Sequence, residues 1–333
     1  MALRIVFFGT SEFAVPTLSE IVGQGYQVVA VYTQPPRAAG RGLRQRRSPV
    51  HEVAEQFGLR VVAPASLKSA GEVERFAEFE PDVGVVAAYG RIIPAHLLSV
   101  PRLGMINVHA SLLPKYRGAA PVHRAVMNGD RQTGVTIMRV IQELDAGPML
   151  AKLARPIGPD ETSEVVEEAL AELGANLLVT VVDHMAEGTA REEPQDDTQA
   201  TYAPRLTKEE GLIDWSQAAA AMHNRVRGLH PWPHAYTYLR GTRLIIRRTR
   251  LIADLEGPRR ADEGPRRSEG GQRRATEFTA GSIVGVSPDA IHVETGNGRI
   301  AVVEIQPEGR RAMRVHDFVL GHPVAPGEVF SQS

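Results

Sequence analysis

Asn107-Val108-His109-Ala110-Ser111-Leu112-Leu113-Pro114-Lys115-Tyr116-Arg117-Gly118 ends a short apolar run, Met105 to Val108, with polar groups where a core strand should stay apolar. In extended chain Asn107 and His109, two residues apart, project from the same side. Ligands of α/β sheets sit beyond the carboxyl ends of the strands, which is where this pair falls. A carboxamide donor beside an imidazole suits stabilisation of a developing oxyanion and proton movement near neutral pH. The segment alone equally admits a plain strand end whose polar groups satisfy a turn. A second segment, Glu143-Leu144-Asp145-Ala146-Gly147-Pro148, offers a carboxylate before a turn, and an Asx turn would use aspartate in the same way.

Outward from that strand, short apolar runs alternate with helical patterns. Leu3 to Phe8, Val28 to Tyr32, Val83 to Ala88, Met105 to Val108 and Gly134 to Val140 read as strands. Helices are expected over Val15 to Val22, Val50 to Phe57, Ala70 to Phe79, Pro121 to Asn128 and Ser163 to Glu187, the last capped by Thr162 or Ser163. That order predicts an α/β, Rossmann-like domain with a mostly parallel sheet over residues 1–189. Residues 190–206 lose periodicity and collect Pro194, Pro204 and four acids, the chemistry of a linker. Beyond it, a helix over Ser216 to Gly228 precedes runs at Ala235 to Leu239, Arg243 to Leu251, Gly281 to Val286, Ala290 to Thr295 and Arg299 to Ile305, which predict a small OB-like β-barrel over 207–333. Residues 254–277, with six arginines against six acids and many glycines, read as a disordered insertion between strands.

The 333 residues suffice for two domains, and no apolar run approaches the roughly 18 residues that a membrane span needs. With no cysteine, disulfides, thiolate metal sites and cysteine nucleophiles are excluded. A cytoplasmic protein is expected, since no transit peptide precedes Leu3. Net charge is −1, from 38 basic and 39 acidic side chains, so the chain is not coated in positive potential; residues 207–333 alone sum to +3. The turn Gly9-Thr10-Ser11-Glu12-Phe13 holds one glycine where a dinucleotide fingerprint needs three, and Tyr32-Thr33-Gln34 offers no acid for a ribose. Pro231 and Pro233 deny His230 and His234 the helix that would align them as metal ligands, and no metal is expected.

NVHASLLPKYRGAAP with ELDAGPML, on the opening FFGTSEFAVP, resembles the 10-formyltetrahydrofolate-dependent formyltransferases. The resemblance implies a catalytic trio of Asn107, His109 and Asp145, and places the folate at Ser111, Leu112, Leu113 and Pro114. TQPPRAAGRG, RLTKEEGLIDWS and NRVRGLHPWPHAYT are similar to the branch of that family acting on methionyl-tRNA. The likeness covers the chain up to about Ile252 and again from Ala280. The insertion and His230, where asparagine is expected, depart from the pattern.

By that resemblance the methionine α-amine of initiator methionyl-tRNA attacks the formyl carbon of 10-formyltetrahydrofolate. Asn107 and protonated His109 stabilise the oxyanion, while Asp145 favours the imidazolium by charge proximity and helps pass a proton to the leaving nitrogen. Residues 21–51 carry no acid but five arginines, Arg37, Arg41, Arg44, Arg46 and Arg47, a basic loop suited to a tRNA acceptor stem, with Arg41 associated by resemblance with initiator discrimination. On the barrel, Arg240, Arg243, Arg247, Arg248 and Arg250 would add sequence-tolerant backbone contacts. The expected partners are initiator methionyl-tRNA and folate, with no membrane, for a monomeric chain. A 10-formyltetrahydrofolate hydrolase or small-molecule formyltransferase is the alternative, and leaves the basic surfaces unexplained. A non-catalytic RNA-binding barrel protein leaves the trio unexplained.

Overall fold

The computed structural model describes residues 3–39, 44–69, 71–252 and 278–333. Two compact units emerge, one of Met1–Ala125, Asp130–Gly158 and Glu164–Arg205, the other of Val126–Gly129, Pro159–Ser163 and Leu206–Ser333. In chain order the first contains β1 (Arg4–Gly9), α1 (Val15–Gly23), β2 (Gln27–Tyr32), β3 (Arg37–Ala39), β4 (Arg44–Arg46), α2 (Pro49–Gln56), β5 (Val61–Val62) and α3 (Glu72–Ala77). There follow β6 (Val83–Ala87), α4 (Ala95–Leu98), β7 (Met105–His109), β8 (Arg117–Gly118), α5 (Pro121–Met127), β9 (Gln132–Arg139), β10 (Met149–Pro156), α6 (Ser163–Glu187) and β11 (Tyr202–Ala203).

Seven strands form the main sheet in the order β10-β9-β7-β6-β1-β2-β5. From β7 to β5 every pairing is parallel, while β9 runs antiparallel to both β7 and β10. The mostly parallel, Rossmann-like expectation therefore describes this unit. The strand β10 has no counterpart in the sequence reading, because as an edge strand it leaves Lys152, Leu153 and Ala154 exposed and shows no sustained apolar run. The helix expected over Ala70 to Phe79 is shorter, Glu72–Ala77, and starts after Gly71 in the left-handed conformation. At α2 the sequence rule holds locally: Ser48 accepts from the His51 N–H at 3.1 Å, and Pro49 occupies the first helical position.

The core beside β1 is aromatic. Phe8 stacks on Tyr32 with centroids 4.7 Å apart and meets Phe76 and Tyr89 edge-on. On the other side of the site, α6 presses close to the sheet: a Cβ at Gly174 would lie 2.6 Å from Val108 Cγ1, so only glycine permits this approach. Since Val108 faces that helix, the alternation of the strand turns Asn107 and His109 to the opposite side.

The second unit holds α7 (Ala219–Gly228), β12 (Ala235–Leu239), β13 (Thr242–Leu251), β14 (Ile283–Val286), β15 (Ile291–Glu294), β16 (Arg299–Pro307), β17 (Met313–Arg314) and α8 (Val315–Gly321). Its antiparallel sheet runs β12-β13-β16-β15-β14, with β17 paired to β16. The chain end closes it, for Ser331 bridges Tyr238 on β12 while Val329 bridges Ser282 beside β14. Inside, Trp215 stacks on Phe330 at 5.3 Å and donates from Nε1 to Thr237 Oγ1 at 3.0 Å. The small-barrel expectation is met, with the edges joined by a segment that sequence periodicity did not single out. Helix α7 begins three residues later than expected because the Asp214 carboxylate accepts from Ser216 and Gln217, forming an Asx turn that occupies the chain first. The insertion at 254–277 lies outside the described residues.

Candidate active site

Asn107 and His109 end β7, where Asn107 pairs with Val86 and Met138 and His109 with Thr136. The His109 imidazole is buried, and its Nε2 donates to the Tyr116 carbonyl at 2.9 Å. A carbonyl only accepts, so this contact assigns a proton to Nε2. Nδ1 lies 3.7 Å from Asp145 Oδ2, close enough for charge attraction but beyond a hydrogen bond.

Asp145 occupies a turn with φ of 50°, a left-handed conformation that aspartate tolerates better than most side chains. Its Oδ2 accepts from the Gly118 N–H at 2.8 Å, which fixes the carboxylate beside the imidazole. Two residues on, a Cβ at Gly147 would stand 2.0 Å from the Arg139 carbonyl oxygen, so the turn can fold against β9 only with glycine there.

A cavity of about 610 Å³ opens at this end of the sheet, lined by Asn107, His109 and Asp145 together. Phe13, Ile92, Ile93, Val140, Ile141 and Leu144 supply apolar walls. Size and character are those of a site for a drug-sized or cofactor-sized organic molecule. Burial pushes the Tyr89 phenol in the wall up to about 12, and the Glu167 carboxyl, also in the lining, above the ordinary carboxylate range by desolvation. Among the described residues no three His, Asp or Glu side chains gather as a metal site would require, and no helix is long and apolar enough to cross a membrane.

The structure brings Asn107, His109 and Asp145 into one cavity lining; the remaining predicted residues lie elsewhere. Ser111 to Pro114 run beside the cavity, beyond its lining residue Ala110. The Ser111 hydroxyl donates to the Lys115 carbonyl at 2.6 Å, and Leu113 packs with Met138 and Met149, leaving Leu112 and Pro114 half-buried. The basic segment carries two short strands, β3 against β4, with Arg37 directly opposite Arg46. Arg37 donates to Gln34, whose own Nε2 donates to the Tyr89 carbonyl at 2.7 Å, so this ladder springs from the cavity wall. Arg47 pairs with Glu55 at 2.5 Å and Arg46 is exposed, while Arg41 and the Arg44 side chain lie outside the described residues. On the barrel, Arg243 lies 3.9 Å over the Tyr236 ring, Arg247 donates to His234, and Arg240 is engaged with Glu328. His230 and His234 sit in a turn, rings 5.3 Å apart.

Sequence reasoning missed the wall Ala88 to Ile93 and the residues Glu167, Arg205 and Gln195. The first follows β6 at the same carboxyl edge as Asn107, so the rule that located one loop could have located both. Glu167 and Arg205 join the lining through long-range packing, and Gln195 reaches the Asp145 turn from the segment read as a linker.

Residues 3–182 match the family model described as formyl transferase, and residues 205–323 match the one described as formyl transferase, C-terminal domain. A methionyl-tRNA formyltransferase of Methylococcus capsulatus is 43% identical over 323 residues, covering 97% of this chain and 98% of that one. An N-formyltransferase from Helicobacter canadensis, solved in complex with folinic acid and dTDP-3-aminofucose, shares the fold with a TM-score of 0.64 at 17% identity, over 92% of this chain and 100% of that one. HypX from Aquifex aeolicus in complex with tetrahydrofolic acid gives 0.63 at 14% identity; all of this chain is covered, and it spans about half, 51%, of that longer chain.

Proposed function

This chain belongs to the formyl transferase family, and on that premise we propose that it transfers the formyl group of 10-formyltetrahydrofolate to the methionine α-amine of initiator methionyl-tRNA. The observation that carries this reading is the meeting of Asn107, His109 and Asp145 at one cavity of folate size. Its apolar walls suit a flat heterocycle, and the Ser111, Leu112, Leu113 and Pro114 turn, which follows the lining residue Ala110, is where the rest of the donor is proposed to lie. The neutral amine forms the new C–N bond while the bond to the donor nitrogen breaks. Asn107 and the imidazolium of His109 donate to the oxyanion between those events. Asp145, with its Oδ2 3.7 Å from Nδ1, receives the amine proton for delivery to the leaving nitrogen.

The ladder of β3 and β4 supports the tRNA half of this reading. Residues directly opposite in an antiparallel pair share a face, so Arg37 and Arg46 present two cations together beside the cavity wall, with Arg41 between the strands in sequence. Arg44 and Arg47 belong to the same proposed surface. On the barrel, Tyr236, Tyr238 and Arg243 form an aromatic and cationic platform, a chemistry that binds polynucleotides with little sequence preference. The enzyme is proposed to act as a cytoplasmic monomer without a metal or a membrane.

The deciding experiment follows formyl transfer from 10-formyltetrahydrofolate to methionyl-initiator tRNA, beside elongator methionyl-tRNA and a control without acceptor. Transfer confined to the initiator is the expected result. Donor turnover without acceptor would replace this reading with a hydrolase.

A further inference from the structure

We propose that Gln195, itself held by Arg117, is the positioning residue that sets Asp145 against His109, an inference that rests on the formyl-transfer reading of the trio. Residues 190–206 read as a linker, yet part of this segment straps the active-site loops. The Gln195 carboxamide spans the Asp145 turn, and its Nε2 donates to the carbonyls of Asp145 at 2.9 Å and Gly147 at 2.8 Å. Its Oε1 accepts from Arg117 Nε at 3.0 Å and Nη2 at 2.9 Å. A flipped amide would set its NH₂ against the guanidinium and its oxygen against two carbonyls, so the orientation is unique. The Arg117 side chain is buried, and its Nη2 also donates to Asp197 Oδ1 at 2.6 Å.

Arg117 stands between the two backbone groups that hold His109 and Asp145. Tyr116 before it supplies the carbonyl that binds His109 Nε2, and Gly118 after it supplies the N–H that binds Asp145 Oδ2. The strap grips this segment again where Arg117 N–H donates to the Thr201 carbonyl at 2.8 Å and Tyr116 N–H to Thr201 Oγ1 at 2.9 Å. Gln195 thus joins the turn carrying Asp145 to the strand whose neighbours orient both partners. Among the lining residues of the cavity Gln195 does not appear, so its removal leaves the substrate walls in place and acts on the Asp145 to Gly147 turn and on Arg117. A left-handed aspartate needs such support, since the conformation persists only when its surroundings over-determine it.

The test compares Gln195→Leu, Asp145→Asn and the double variant in steady-state transfer to methionyl-initiator tRNA. Gln195→Leu should lower kcat on the order of tenfold to a hundredfold, the cost of a misplaced catalytic group, with KM for both substrates within about twofold of wild type. If Gln195 acts through Asp145, the double variant is no slower than Asp145→Asn alone. Multiplied losses, or a raised KM with kcat intact, would overturn the proposal. Should Gln195→Leu not fold, Gln195→Glu keeps the acceptor for Arg117 but loses the donors to the turn, and the same kcat loss is expected. A readout independent of activity is hydrogen exchange at the Gly118 amide, which should quicken by about tenfold or more in Gln195→Leu; unchanged protection sinks the proposal. A wild-type chain that transfers no formyl group overturns the functional reading alone, because the exchange measurement still decides the positioning role.

Discussion

Replacing Thr136 with valine tests how the strand beside the trio holds the turn at Ser111 to Pro114. Thr136 lies on β9 opposite His109 and is fully buried. Its Oγ1 donates to the Ser111 carbonyl at 2.7 Å and accepts from the Leu113 N–H at 3.1 Å. Valine keeps the shape and removes both bonds, leaving two buried backbone groups unpaired at roughly 1–3 kcal/mol each. The added methyl returns roughly 0.8 kcal/mol through burial, so a net loss of about 3 kcal/mol is expected. For a unit of this size that lowers Tm by about 6–12 °C. Thr136→Ser retains the hydroxyl and gives up one methyl, a cost of roughly 1 kcal/mol. The assay is calorimetric melting of the three proteins at one scan rate, with the donor KM measured alongside. The order wild type, serine, valine is expected, together with a raised donor KM in the valine variant. If valine melts at or above serine, packing rather than hydrogen bonding anchors the turn, and the reasoning fails.

Asn107→Ala and His109→Ala should each lose about a hundredfold or more in kcat, the usual effect of deleting one oxyanion donor, while a filter-binding assay shows tRNA affinity retained. If the arginine ladder and the barrel platform both meet phosphates, log affinity for tRNA falls steeply with log salt, and Arg46→Ala or Arg243→Ala makes the slope shallower by about one; a flat dependence in wild type refutes the basic surfaces. Burial, Arg247 and His230 together push His234 from 6.5 down to about 4, so the fold prefers the neutral ring. Its contribution to stability is therefore complete above pH 6.5 and lost as pH falls towards 4. Urea denaturation of His234→Gln should show a weaker pH dependence across that window than wild type.

Much of this protein is legible from local pattern. The strands β1, β2, β6, β7 and β9 announce themselves by short apolar runs, because strands buried on both faces exclude polar side chains. Asn107 and His109 stand out for the same reason, as polar exceptions in such a run, and the motif around Asp145 completes the trio. The edge strand β10 is hidden because its exposed face breaks the apolar pattern. Glu167 is hidden because nothing in a helix sequence tells which turn will face a cavity. The 190–206 segment misleads most: prolines and acids look like a free connection, yet Gln195, Asp197, Thr201 and Ala203 bond to the loops around the trio.

The sequence by itself determined the α/β unit followed by a barrel, through residue type and short-range periodicity, while the family and the three residues proposed for chemistry came from its resemblance to the formyltransferases. Only the tertiary structure decided which imidazole nitrogen faces Asp145, that the chain end closes the barrel, and that a distant glutamine grips the Asp145 turn. Those facts rest on contacts between groups as many as 94 residues apart, and such contacts depend on distance and direction in space, which the order of residues does not contain.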